Sequence, residues 1–303
     1  MGDGHRCRSG AKITRWTLFP GLLALGLTGC NGDECQTPSC GDASTVDTTT
    51  QCKKDQVQCK SDEINAFGVC LAESGMVKVA AGEFTMGKTE ARKDHSPEHK
   101  VTLKEFLLDK TEVTVAQYRA CVDCGVCTRP LRDGSHTGRE PYYGNATYNN
   151  YPVIYVTHRD AKAYCEGIGK RLPTEAEWEK AARGTQANTY PWGNDSPTQK
   201  HANFAALVND TTPVTDYADK GAPCGALNMA GNVWEWVADV YDATYYAKSP
   251  ASNPAGPTAG DSRVVRGGSF LSQYEQIRSF ARGYFAETAA LSSVGFRCAR
   301  DKW

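Results

Sequence analysis

Cysteine is the residue type with most chemistry to offer in this 303-residue chain, which carries thirteen of them. A thiolate is a nucleophile or a soft-metal ligand, and two thiols can close a cross-link. Cysteine use on this scale suits an oxidising compartment better than a reducing cytosol. The tightest group is Cys121-Val122-Asp123-Cys124-Gly125-Val126-Cys127. Its spacing could hold a metal, but only three thiols cluster, and disulfides are the expected state. Cys35, Cys40, Cys52, Cys59 and Cys70 are scattered through a segment rich in hydroxyls and acids. They lack the two CxxC knuckles of a zinc site, so a small disulfide-tied stalk is expected, with zinc as the alternative. Among the histidines, His95 and His99 are spaced like helical ligands. Pro97 between them opposes a regular helix, so a structural role is expected. His136, His158 and His201 are scattered. No Ser-His-Asp order, Gly-x-Ser-x-Gly elbow or P-loop is found.

These residues need a framework and an address. Lys plus Arg (34) nearly cancel Asp plus Glu (35), which argues against nucleic-acid binding. Aliphatic residues are sparse, whereas Tyr (14), Trp (6) and Gly (29) are plentiful. This implies a loop-rich domain packed on aromatics. His5, Arg6, Arg8, Lys12 and Arg15 precede the uncharged, mostly apolar stretch Trp16 to Gly29. The stretch is shorter than a spanning helix and has a basic front, so residues 1–29 read as a secretory signal. Leu27-Thr28-Gly29-Cys30 resembles a bacterial lipobox, which would lipidate Cys30 and tether the chain to the outer membrane or cell envelope. An ordinary signal peptide or a short anchor is the alternative. Residues 30–73 form the cysteine-containing tether, and 74–303 a single domain.

Within the domain, Val77-Lys78-Val79 and Gly82 to Gly87 alternate as strands do, and Val101 to Leu108 is a further candidate strand. Thr114 caps an expected helix to about Cys121. Thr157 caps another, through Tyr164, stopped at Gly167 or Gly169. Thr174 with Glu177 forms a capping box for a helix over Glu175 to Arg183, stopped by Gly184.

Several stretches in order then resemble one family. They include Pro97-Glu98-His99-Lys100-Val101-Thr102-Leu103, Glu112-Val113-Thr114 and Gly169-Lys170-Arg171-Leu172-Pro173-Thr174-Glu175-Ala176-Glu177-Trp178-Glu179. Pro191-Trp192-Gly193, Asn228-Met229-Ala230-Gly231-Asn232-Val233-Trp234-Glu235-Trp236, Arg266-Gly267-Gly268-Ser269-Phe270 and Gly295-Phe296-Arg297-Cys298 follow. Together they resemble the sulfatase-modifying-factor family, the formylglycine-generating enzymes and their relatives. The resemblance implies an α+β, C-type-lectin-like fold with little regular structure.

The resemblance also implies a site. The family's enzymes oxidise a substrate cysteine with oxygen, using two cysteines that hold Cu(I). Ungapped matching puts those positions on Ser272 and Ile277, and no cysteine lies between Cys224 and Cys298. A neutral hydroxyl is a poor Cu(I) ligand and an alkyl group is none, so no copper is expected. A calcium site carries over intact, as a side-chain oxygen of Asn228, carbonyls of Gly231 and Val233, and the carboxylate of Glu235. Asn203 is a weaker candidate for a second calcium, with Asn209 or Asp210 as substitutes. Cys165 and Cys298 match positions bridged in the family. A second family bridge falls on Ala182 and the Ser279–Ala281 region, where both halves are missing. The expected function is a membrane-tethered, non-catalytic module that binds a peptide, glycan or partner protein. Its pocket would be floored by Ser269, Phe270, Tyr274 and Trp234. The alternative is an enzyme of altered chemistry in that pocket, with Ser272 and Glu275 in nucleophilic or acid–base roles.

Overall fold

The computed structural model describes residues 75–90 and 94–302. The signal segment, Cys30 and the tether lie outside the described residues. Strands β1 (Met76–Val79) and β2 (Gly82–Met86) form where the apolar and polar residues alternate, and β2 turns Phe84 and Met86 inward. The run from Val101 to Leu108 is not one strand. It divides into β3 (His99–Leu103) and β4 (Phe106–Asp109). The break falls at Lys104, whose N–H donates to the Asn253 side chain instead of to a ladder. The halves then join different sheets. β3 pairs with β2, while β4 sits between β1 and the C-terminal strand β9 (Ala299–Asp301).

Three helices follow, each opened by a reciprocal cap. They are α1 (Val115–Asp123), α2 (His158–Gly167) and α3 (Glu175–Arg183), capped by the pairs Thr114/Gln117, Thr157/Asp160 and Thr174/Glu177. Each cap stabilises its helix by about 1 kcal/mol. All nine residues of helix α3 are buried, the five charged ones included. It is a strut through the centre, and its Glu175 and Glu179 are answered by arginines of a third sheet. That sheet runs β7 (Arg282–Ala286), β6 (Ser262–Arg266), β5 (Trp234–Val240), β8 (Val294–Phe296), with β5 and β8 parallel.

The core is aromatic and ionic. Tyr118, Tyr164, Trp236 and Phe296 pack among α1, α2 and the four-stranded sheet, with Tyr118 stacked on Tyr164 at 5.6 Å. Phe84, Phe106 and Trp178 fill the space around α3. Beside them lie Arg183, Arg266, Arg282 and Arg297, all among the largest fully buried side chains. Arg282 grips Glu175 through two bonds of 2.7 and 2.8 Å. Arg266 bonds Glu179 at 2.7 Å and Glu175 at 3.2 Å. Arg183 adds a 2.9 Å bond to Glu179. A disulfide joins Cys165 in α2 to Cys298, 133 residues away, and contributes roughly 2–4 kcal/mol. A second joins Cys121 to Cys127. Among the described residues no helix is long and apolar enough to cross a membrane.

Candidate functional site

Strand β6 ends at Arg266, and the chain then makes two left-handed glycine steps, with φ of 91° at Gly267 and 74° at Gly268. Only glycine fits here. A Cβ on Gly267 would lie 3.0 Å from the Trp178 ring, and one on Gly268 would lie 2.6 Å from Ile277 Cγ2. The next residues close a tight turn. The Ser269 N–H donates to Ser272 Oγ at 3.0 Å, and the Ser272 N–H returns to the Ser269 carbonyl at 2.9 Å. The Leu271 N–H donates to Ser269 Oγ, and the Phe270 N–H to the Asn232 carbonyl.

The two serine hydroxyls are therefore turn-building groups. Both residues are buried, their Oγ atoms lie 3.5 Å apart, and no described histidine or carboxylate bonds to either. Ser272 has no base to activate it, and Glu275 is exposed to solvent. The expected pocket floor is divided. Ser269 and Phe270 are buried, with the His136 ring 5.4 Å from that of Phe270, while Tyr274 is half exposed. Trp234 is packed into the core on β5, its ring against Gly283.

Ile277 is fully buried in a small apolar cluster with Tyr190, Ala202, Phe204 and Ala230. Trp192 and Ala205 pack on its edge. The position that a thiolate would need is thus hydrocarbon on every side described. Neither the Ser272 hydroxyl nor the Ile277 alkyl group fits a Cu(I) centre.

The Asn228–Glu235 turn is electrostatically different. Asn228, Gly231 and Asn232 are left-handed, with φ of 53°, 78° and 60°. Glu235 is held by Arg297 through two 2.7 Å bonds and by Trp178 Nε1 at 2.8 Å. A second carboxylate, Glu112, accepts from the side-chain amides of Asn228 at 3.2 Å and Asn232 at 2.8 Å. Burial pushes Glu112 up to about 7, with Arg297 opposing and Glu235 reinforcing that shift. Two buried carboxylates thus share one guanidinium. The Asn228 amide nitrogen is fixed between Glu112 and the Val214 carbonyl. That leaves the Asn228 amide oxygen for another partner. An excess of buried negative charge beside an amide oxygen and a turn of carbonyls fits a hard cation. Glu112 was quoted within a motif but given no role by sequence reasoning. Its signal was an acid preceding a capping threonine.

At the second candidate, Asn203 Oδ1 is buried without a partner. Asp210 reaches Asn203 only through its backbone carbonyl, which accepts from Asn203 Nδ2 at 2.7 Å. The Asp210 carboxylate is taken by Ser135, Thr137 and the Thr211 N–H, which tie down the 135–139 loop. Asn209 is exposed and left-handed. His95 and His99 lie outside any helix, edge-on to Phe280 and Tyr246 respectively. Cys224 is half-buried, its thiol donating to the Ala181 carbonyl, and burial pushes its pKa up.

Comparison with known proteins meets this geometry. The family model for the sulfatase-modifying factor enzyme 1-like domain matches residues 63–302. The formylglycine-generating enzyme of Streptomyces coelicolor is 36% identical over 75% of this chain and 89% of that protein. The mouse enzyme of the same name is 32% identical over 80% of each. A Chlamydia pneumoniae protein named serine/threonine-protein kinase pkn1 is 39% identical, but this chain spans only 38% of it. Among solved structures, PvdO from Pseudomonas aeruginosa is 30% identical with a TM-score of 0.64, covering 75% of this chain and 94% of that one. The family's members include proteins named formylglycine-generating enzymes, and the fold is the mixed, coil-rich α+β fold they share. On sequence, fold and site framework together, this chain belongs to the sulfatase-modifying-factor family.

Proposed function

We propose that this chain is an envelope-anchored, non-oxidase member of the family that works as a binding module. One observation carries the reading. Ser272 and Ile277 stand where the copper cysteines match, and Ile277 is built into an apolar cluster. Oxidation of a substrate thiol needs an electron-accepting centre, and these residues supply no ligand for one. Altered chemistry at Ser272 has no support, because its hydroxyl closes the 269–272 turn and no described base reaches it. The ligand is a peptide, glycan or partner protein.

Calcium at the Asn228–Glu235 turn is the structural cofactor of this reading. Asn228, Gly231, Val233 and Glu235 would hold it, and its charge would offset the Glu112–Glu235 pair. Lipid on Cys30 is the anchor, tested by radiolabelled palmitate incorporation that is lost in Cys30→Ala. For the central reading, the purified chain is given Cu(I), oxygen and a cysteine-containing sulfatase peptide. Mass spectrometry is expected to find the peptide unchanged. Formylglycine in the peptide would overturn the proposal.

A further inference from the structure

We propose that the 205–209 loop and the 270–274 loop together form a docking ridge for an apolar segment of a partner polypeptide. The inference rests on the binding reading above and deepens it. Ala205, Ala206 and Asn209 are left-handed, with φ of 52°, 55° and 60°. Two successive alanines in that region are strained, because their Cβ atoms crowd the neighbouring carbonyls. The surroundings hold them there. The Ala205 N–H donates to the Ser272 carbonyl at 2.9 Å, and the Ala206 N–H to the Phe270 carbonyl at 2.6 Å. The Leu207 N–H closes back on the Phe204 carbonyl at 3.0 Å. Underneath, Phe204 and Ile277 share one apolar cluster, with Ala205 on its edge.

That arrangement holds hydrocarbon out in water. Leu207 is 51% exposed and Val208 43%, and the facing loop adds Leu271 at 40% and Tyr274 at 52%. Four of the seven exposed large hydrophobics among the described residues fall on these two loops. Scattered apolar residues need no explanation, but a concentrated group on a strained, braced support does.

The chemistry of the ridge selects its occupant. Residues 203–209 and 270–277 contain no Lys or Arg, and Glu275 is their one charge. An anionic bilayer would call for basic flanks. A glycan would call for converging polar side chains, whereas the ridge offers Leu, Val, Leu and Tyr. Four side chains are too few for a stable interface between copies, which buries about 800 Å² per partner. Apolar side chains of a short peptide segment match what remains.

The test pans a phage-displayed library of random linear peptides on the full chain in detergent, then titrates a selected synthetic peptide by fluorescence polarisation. Selected peptides should be enriched in Leu, Ile, Val and Phe. Val208→Asp and Leu207→Ser should each weaken binding by about tenfold or more. Tyr284→Ala, at an exposed ring on β7, should leave it unchanged. The double variant Ala205→Gly/Ala206→Gly should weaken it by about two- to fivefold, through loss of the pre-set loop. Thermal unfolding confirms that each variant is folded, and Leu207→Ser reports if Val208→Asp is not. Four results would overturn the proposal. They are no apolar enrichment, binding insensitive to both ridge variants, ridge-dependent binding to phosphatidylethanolamine–phosphatidylglycerol vesicles, and a dimer that Val208→Asp dissociates. None depends on copper, so failure here is separate from failure of the non-oxidase reading.

Discussion

Two loops in this molecule use the same family framework for opposite ends. The Asn228–Glu235 turn is buried and polar, with Glu235 tied to Arg297 and Trp178. The 269–277 loop turns buried serine hydroxyls into backbone acceptors, sets Ile277 in hydrocarbon, and leaves Leu271 and Tyr274 to solvent. One loop is an ionic core, in which Arg297 answers Glu235 and two asparagine amides answer Glu112. The other spends its serine hydroxyls on turn bonds and its isoleucine on packing. A fold can thus hold its interior charge lattice fixed while the rim changes chemistry, because the two are stabilised by different forces.

The comparison breaks most visibly at the ionic core. Arg297→Leu leaves Glu235 buried without its counter-charge, and urea unfolding should show a loss of about 3–5 kcal/mol. Reducing α2's tie to the C-terminus comes next. Cys165→Ala with Cys298→Ala should cost about 2–4 kcal/mol by the same measurement.

A pH effect of about 2–3 kcal/mol should follow from His158, whose pKa burial lowers to about 4. Its Nε2 is 3.0 Å from the Val237 carbonyl, so the neutral ring carries its proton there. The unfolded ring gains a second proton near pH 6.5, whereas the folded one resists until about 4. Stability should therefore fall as pH drops from 6.5 towards 4. His158→Gln, which keeps a donor for Val237, should flatten that slope in unfolding curves across this range.

The rim should respond weakly and with the other sign. Ala206→Gly relieves a left-handed alanine and should raise stability by about 1 kcal/mol. Leu207→Ser, at an exposed site, should change it by less than about 0.5 kcal/mol. A large loss from Leu207→Ser would erase the distinction between core and rim.

Much of this framework was legible from residues alone. The three helices start at the threonines whose capping partners stand three residues on, because those bonds are local. The β3/β4 break was not legible, since the partner that ends β3, Asn253, lies 149 residues away from Lys104. The burial of helix α3 was not legible, since Glu179 and Glu175 meet Arg266 in β6 and Arg282 in β7, 87 and 107 residues on. At the site, the serine and the isoleucine at 272 and 277 could be read directly from the sequence. The roles of Glu112, and of the left-handed alanines, depend on tertiary contacts that no spacing encodes. Where the residues of the expected pocket sit was not legible for the same reason. Trp234 and Ser269 are neighbours of the site in sequence pattern, but β5 carries the Trp234 ring into the core against Gly283.

The central claim is that the copper-binding thiols have been replaced by a hydroxyl that builds a turn and an alkyl group that builds a cluster. Anaerobic titration with Cu(I) against bicinchoninate tests it most directly, comparing the natural chain with Ser272→Cys/Ile277→Cys. The account predicts that the natural chain leaves the chelator's copper in place, and that the double variant withdraws one equivalent. One equivalent withdrawn by the natural chain, and lost in Ser272→Ala, would contradict it.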